Sequence, residues 1–221
     1  MYVLTIDQQG SRSDIDRVPE LTAALGDLAP VPFDRTVGDE LQGVVDHPHE
    51  VVDIALHALR SGHWYVGIGI GAVRLLPGDS PREGSGSGFV AARKAVERAK
   101  GAAGQVPLSV VSGTMVRGRD VQQQESVVAC ANAEAVLRLI GRLVQQRTEA
   151  QWRVVDRLRA IDGEGRHGTQ KQVARELGIS EQSVSRALLR SGWQEEWAAR
   201  PAAAMLLEYA HSLAAPMEGT R

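Results

Sequence analysis

The chain has 221 residues, of which 43% are hydrophobic, and a formal net charge of −2; these values exclude a wholly disordered chain and a polycationic packer of nucleic acid. Its single cysteine, Cys130, excludes an intramolecular disulfide and a thiolate-based zinc site. No apolar run reaches the roughly 18–20 residues of a membrane span. The opening MYVLTIDQQG lacks the basic start and long apolar core of a secretory signal, so a cytoplasmic location is expected.

In chain order, YVLTI (2–6) predicts a short strand that ends at Asp7. Ile15, Val18, Leu21, Leu25 and Leu28 recur at helical spacing and predict a helix over 14–28, capped by Ser13 or Asp14 and stopped by Pro30 and Pro32. FDRTVGDELQGVV (33–45) reads as a hairpin with Gly38, Asp39 and Glu40 at its turn. Pro48 opens a helix through about Arg60. WYVGIGIGAVRLL predicts a strand whose alternating glycines suit close approach of a helix or a ligand. A Gly/Ser-rich loop (77–88), a helix (89–100) and a strand (106–111) follow. This order predicts an α+β fold: a ferredoxin-like sheet over 1–120 with its helices mainly on one face.

From about Gln122 the pattern is helical throughout. A connecting or dimerisation segment over 121–160 is expected, either as one helix or broken near Arg147–Glu149. An all-α unit is expected over 161–221. Residues 1–120 carry three more acids than bases, whereas 121–221 carry one more base than acid. The C-terminal stretch from Trp193 is amphipathic, and Pro201 predicts a break in it.

TQKQVARELGISEQSVSRALLR (169–190) matches a helix-turn-helix position by position. Val173, Ala174 and Leu177 form the first apolar stripe, Gly178 makes the turn, Ser180 caps the second helix, and Val184 and Leu188 face inward. In such a unit Glu181, Gln182, Ser183, Ser185 and Arg186 face base edges in duplex DNA. Lys171, Arg175 and Arg190, with Thr169 at the start of the first helix, contact the backbone. A palindromic target would call for a homodimer.

The first strand and the hairpin bring a second constellation. If the strand ending at Asp7 pairs with the hairpin, Asp7 and Asp39 meet at one edge. Two facing carboxylates repel unless a cation lies between them, and Mg²⁺ with substrate phosphates is the natural occupant. Ser11 and Arg12, with the backbone N–H groups of Gln8 to Ser11, could cradle phosphate. The six histidines show no metal-ligand spacing.

TIDQQGSR, FDRTVGDELQGVV, YVGIGIGAV and GSGFVAARKAVERAK occur in the order found in class III nucleotidyl cyclase catalytic domains, which this segment resembles. The resemblance implies that Asp7 and Asp39 hold metal, that Arg35 lies where the family reads the base, and that Arg93 matches an arginine that stabilises the transferring phosphate. Phe89 stands where that family has asparagine. Over nearly all of 2–210 the chain is similar to the SatD family, bacterial proteins with a cyclase-like domain and a C-terminal helix-turn-helix, which implies a regulatory role. The reading is a DNA-binding transcription regulator that senses a nucleotide with Mg²⁺. The alternative is a divergent nucleotidyl cyclase or oligonucleotide synthase that uses the helix-turn-helix for targeting.

Overall fold

The computed structural model describes residues 1–28, 32–36, 38–76, 78, 80–102, 104–113, 121–162 and 169–214; the side chains of residues 27 and 162 are outside the description. Five strands form one mixed sheet: β1 (Tyr2–Gln8), β2 (Phe33–Arg35), β3 (Glu40–Val45), β4 (Trp64–Ile70) and β5 (Leu108–Ser112). Their order across the sheet is β2-β3-β1-β4-β5. Strand β1 is central and antiparallel to both β3 and β4, while β4 and β5 run parallel. Three helices alternate with these strands: α1 (Val18–Leu28), α2 (Pro48–Ser61) and α3 (Ser87–Lys100). Five more follow: α4 (Val121–Gln146), α5 (Glu149–Asp162), α6 (Thr169–Leu177), α7 (Glu181–Ser191) and α8 (Trp193–Ala214). The chain is therefore α+β, and among the described residues no helix is long and apolar enough to cross a membrane.

Period-two alternation sends the two sides of the sheet to different partners. Leu4, Ile6, Val66, Ile68 and Ile70 join α1, α2, α4 and α8 in the main core. The other face carries Val3, Thr5, Asp7, Gly67 and Gly69 and receives α3. A Cβ on Gly67 or Gly69 would collide with the backbone of Ala92 or Val96, so these glycines set how closely α3 approaches. Helices thus cover both faces, where the sequence led us to expect mainly one.

The chain reaches α1 later than its periodicity suggested. Residues 10–14 form turns instead, with Ser13 and Asp14 N–H groups donating to the Gly10 carbonyl. The Gln8 side chain donates to the Ile15 carbonyl at 2.7 Å and accepts from the Arg17 N–H at 2.9 Å, holding the segment extended until Val18. The break between α4 and α5 falls at Arg147–Thr148, inside the expected window. Helix α8, by contrast, runs unbroken through Pro201. Proline costs about 3 kcal/mol inside a helix. Burial of Trp193 and Glu196 before it, and of Ala203, Ala204 and Leu207 after it, holds both halves in line and offsets that cost.

A second core lies between α5, α6 and α7 and contains Val154, Val155, Leu158, Val173, Ala174, Val184, Leu188 and Trp193. Trp193 opens α8, which then returns to the sheet's core through Ala203, Leu207 and Ala210. One helix therefore spans both cores.

Candidate functional site

The α6–α7 pair is built by local chemistry that can be followed atom by atom. Gly178 follows α6 at φ +64, a conformation that costs glycine little. The Ile179 N–H donates to the Ala174 carbonyl at 3.0 Å and the Gly178 N–H to the Arg175 carbonyl at 3.4 Å. These two bonds are the Schellman pattern that closes a helix. Ser180, with extended backbone, accepts from the Ser183 N–H at 3.2 Å and so caps α7. Two helices leave this turn with their apolar stripes buried against α5. A pair between Arg157 and Glu176 joins α5 to α6 on the outside.

The side chains expected to face DNA divide clearly. Glu181, Gln182, Ser183, Ser185, Arg186 and Arg190 on α7 are exposed, as are Lys171 and Arg175 on α6. The Ser183 hydroxyl lies 2.9 Å from that of Ser180, so it takes part in the cap. Thr169 is buried, so its side chain is not on the exposed face and a direct contact by it is corrected. A shallow hollow between the helices is lined by Lys171, Arg175, Ser180 and Glu181. The exposed cations Lys171, Arg175, Arg186 and Arg190 thus share one pair of helices, and Glu176, the acid among them on α6, is engaged by Arg157.

The sheet brings the backbone of Asp39 beside the end of β1, close enough for the Asp39 charge to act on Asp7. Asp7 pairs in register with Glu40, and the Gln8 N–H donates to the Asp39 carbonyl at 3.3 Å. Burial raises the Asp7 carboxyl above its ordinary range, Lys100 opposes the rise, and the charges of Asp39 and Glu40 add to it. Lys100 Nζ lies 2.9 Å from Asp7 Oδ2 and 2.9 Å from Glu97 Oε1. Glu40 accepts from the Thr36 hydroxyl at 2.7 Å, which ties its carboxylate to the hairpin.

Lys100 is the residue that sequence reasoning missed. Its signal lies in topology: α3 runs back antiparallel to β4, so its last turn lies beside the start of β4, and that start pairs with the end of β1. A lysine ending α3 must therefore come near Asp7. The remaining expected phosphate and base contacts do not converge. Arg35 donates to Asp16 at 2.7 Å and to the Gly38 carbonyl, so it is held against the hairpin. Arg12 is exposed and Ser11 half-buried. Arg93 is exposed about two turns before Lys100 on α3. The N–H groups of Gln8 and Gln9 are spent on the Asp39 and His63 carbonyls, which corrects their expected place in a phosphate cradle.

As metal ligands, Asp7 and Asp39 make a small set: among the described residues no group of three or more His, Cys, Asp or Glu could hold an ion. Two carboxylates suit Mg²⁺ when phosphates and water complete the shell. Such an ion would have to displace the Lys100 ammonium. Comparison with protein-family models, with curated proteins and with solved structures gives no match.

Proposed function

We propose that this protein is a DNA-binding transcription regulator, with α6 and α7 as a helix-turn-helix and α7 as the helix that enters the major groove. The observation that carries this reading is the α6–α7 turn. A left-handed Gly178 and a Ser180 cap present Gln182, Ser185 and Arg186 outward from a packed three-helix cluster. Gln182 and Arg186 have the donors and acceptors to read adenine and guanine edges. Lys171, Arg175 and Arg190 supply the charge that neutralises phosphates. A homodimer on a two-fold site is part of the proposal.

The finer reading of the first unit belongs here as well. The strand order β2-β3-β1-β4 with two crossover helices supports a ferredoxin-like, cyclase-like plan, in keeping with the resemblance to SatD proteins. Asp7 and Asp39 would hold Mg²⁺ together with the phosphates of a nucleotide. The ion would supply the positive charge that Lys100 now supplies to Asp7. The enzymatic alternative draws on the same carboxylates, but the Lys100 contact and Phe89 in place of asparagine give it less support.

Selection of bound duplexes from a random library tests the DNA reading. A recurring site should emerge, and Arg186→Ala should relax it at one position while the protein stays folded. Recovery of no enriched site with the wild-type protein would remove the proposal. The nucleotide reading is checked separately by thermal shifts with ATP or GTP, with and without Mg²⁺. A shift that needs Mg²⁺ and is lost in Asp39→Ala supports it.

A further inference from the structure

Where α2, α5 and α8 meet, a narrow pocket of about 20 Å³ is walled by Asp53, His57, Arg60, Trp152, Arg159 and Arg200. That volume admits about one water-sized particle. The wall is unusually cationic. Buried Arg147 stands close by, stacked over the same Trp152 ring at 4.8 Å.

The carboxylates of this region are already committed. Asp156 takes both terminal nitrogens of Arg60, at 2.7 and 2.6 Å. Glu196 takes Arg147 at 2.6 Å and Arg200 at 2.5 Å, and Asp53 takes Arg200. Arg159 is exposed and has no carboxylate partner among the described residues; its guanidinium lies 5.9 Å from the Trp193 ring. The result is four guanidinium groups against three carboxylates round one small space. Two further signs agree. Arg147 Nη1 is fully buried and has no hydrogen-bond partner. The ring of His57 is held toward its neutral form by burial and by the charges of Arg60 and Arg159, against the smaller pull of Asp156.

We propose that this pocket binds one monatomic anion of chloride size, held by the side chains of Arg60, Arg159 and Arg200 against the Trp152 ring. Size favours a small ion, since the narrow part of the pocket takes about one water-sized particle. Charge selects the sign, since among the described residues Arg159, exposed at the pocket, is the charged group of the wall without a counter-charge. The site joins the sheet's α2 to α5 of the three-helix cluster and to α8, so a bound anion tightens the contact between the two cores. It shares no residue with the exposed faces of α6 and α7 and does not depend on the DNA reading.

The test is a chloride titration of the full chain at constant ionic strength, with gluconate as the replacing anion. Tm and tryptophan emission are followed together, because Trp152 lines the pocket. Both should change along a saturating curve. Half-saturation should weaken at least about tenfold in Arg159→Gln, the loss expected for one charge-assisted contact, and should recover in Arg159→Lys. Trp152→Phe should reduce the emission change and keep the Tm response. A Tm that follows ionic strength alone, with the same curve in wild type and Arg159→Gln, overturns the proposal. Saturation by inorganic phosphate and not by chloride overturns it too.

Discussion

Arg60 on α2 and Asp156 on α5 meet through two parallel hydrogen bonds, Nη1 to Oδ1 at 2.7 Å and Nη2 to Oδ2 at 2.6 Å. The same guanidinium lies 3.8 Å from the centre of the Trp152 ring. One arginine of the sheet's helix thus makes both an ionic and an aromatic contact with the helix that supports α6 and α7.

Both side chains of this pair are about a third or more exposed, at 34% and 44%, so solvent screens the charge contact. Asp156→Ala is expected to cost about 0.5–1 kcal/mol at low salt. Arg60→Ala should cost more, by roughly 0.5–1 kcal/mol, because it also loses the Trp152 stack. Urea unfolding of the two single variants and the double variant measures the coupling. Equal costs for the two single changes would show that the stack contributes nothing.

The pair between Arg147 and Glu196 is a different case, because its side chains are 1% and 0% exposed. Arg147 also donates to the Ser191 carbonyl at 2.9 Å, linking the α4–α5 joint to the end of α7. Glu196→Gln leaves two guanidinium groups without their buried counter-charge. A loss of about 3–5 kcal/mol is expected, seen as a Tm lower by roughly 6–20 °C for a chain of this size. The double change Arg147→Met with Glu196→Leu should cost less than Glu196→Gln alone. A double variant as unstable as the single one would contradict that.

The turn between α6 and α7 makes a local prediction. Gly178→Ala places a side chain at φ +64 and should cost about 1 kcal/mol or more. Ser180→Ala removes the α7 cap and should cost about 1 kcal/mol. Thermal unfolding measures both, and neither change touches the exposed cations.

Stability should fall on the acid side of neutrality. His57 is half-buried and its folded pKa lies below the ordinary 6.5, chiefly through desolvation. The unfolded chain therefore binds the proton first as pH drops. Stability from the neutral ring is complete above about pH 6.5 and is lost progressively as pH falls from there toward the folded pKa. His211, lowered by burial beside Tyr2, adds to the same window. His57→Gln should flatten the decline between pH 6.5 and 5 in unfolding free energies measured against pH. An unchanged slope would exclude His57 as a source.

Much of this architecture is legible in the sequence because it is local. The hairpin turn at Gly38, the Pro48 helix start, the glycine alternation in β4 and the Gly178–Ser180 turn each follow from one or two residues. The elements misread are those decided at long range. Pro201 signals a break, yet burial on either side carries α8 through it. Asp14 suits a cap, yet the Gln8 side chain keeps that segment out of the helix. Lys100 reads as one more surface cation at a helix end, and only the antiparallel run of α3 along β4 brings it to Asp7. The arginine cluster round Trp152 draws on α2, the α4–α5 joint, α5 and α8, so no window of sequence contains it.

If α6 and α7 hold duplex DNA through Lys171, Arg175 and Arg190, as proposed, binding must weaken steeply as salt rises. Fluorescence anisotropy with a selected duplex over a series of potassium concentrations gives the slope of log K against log salt. The wild type should show a steep negative slope, and Lys171→Ala should make it shallower by about 1, with sequence preference kept. An undiminished slope in Lys171→Ala, Arg175→Ala and Arg190→Ala alike, or no binding by the wild-type protein at low salt, would rule out DNA binding by this pair of helices.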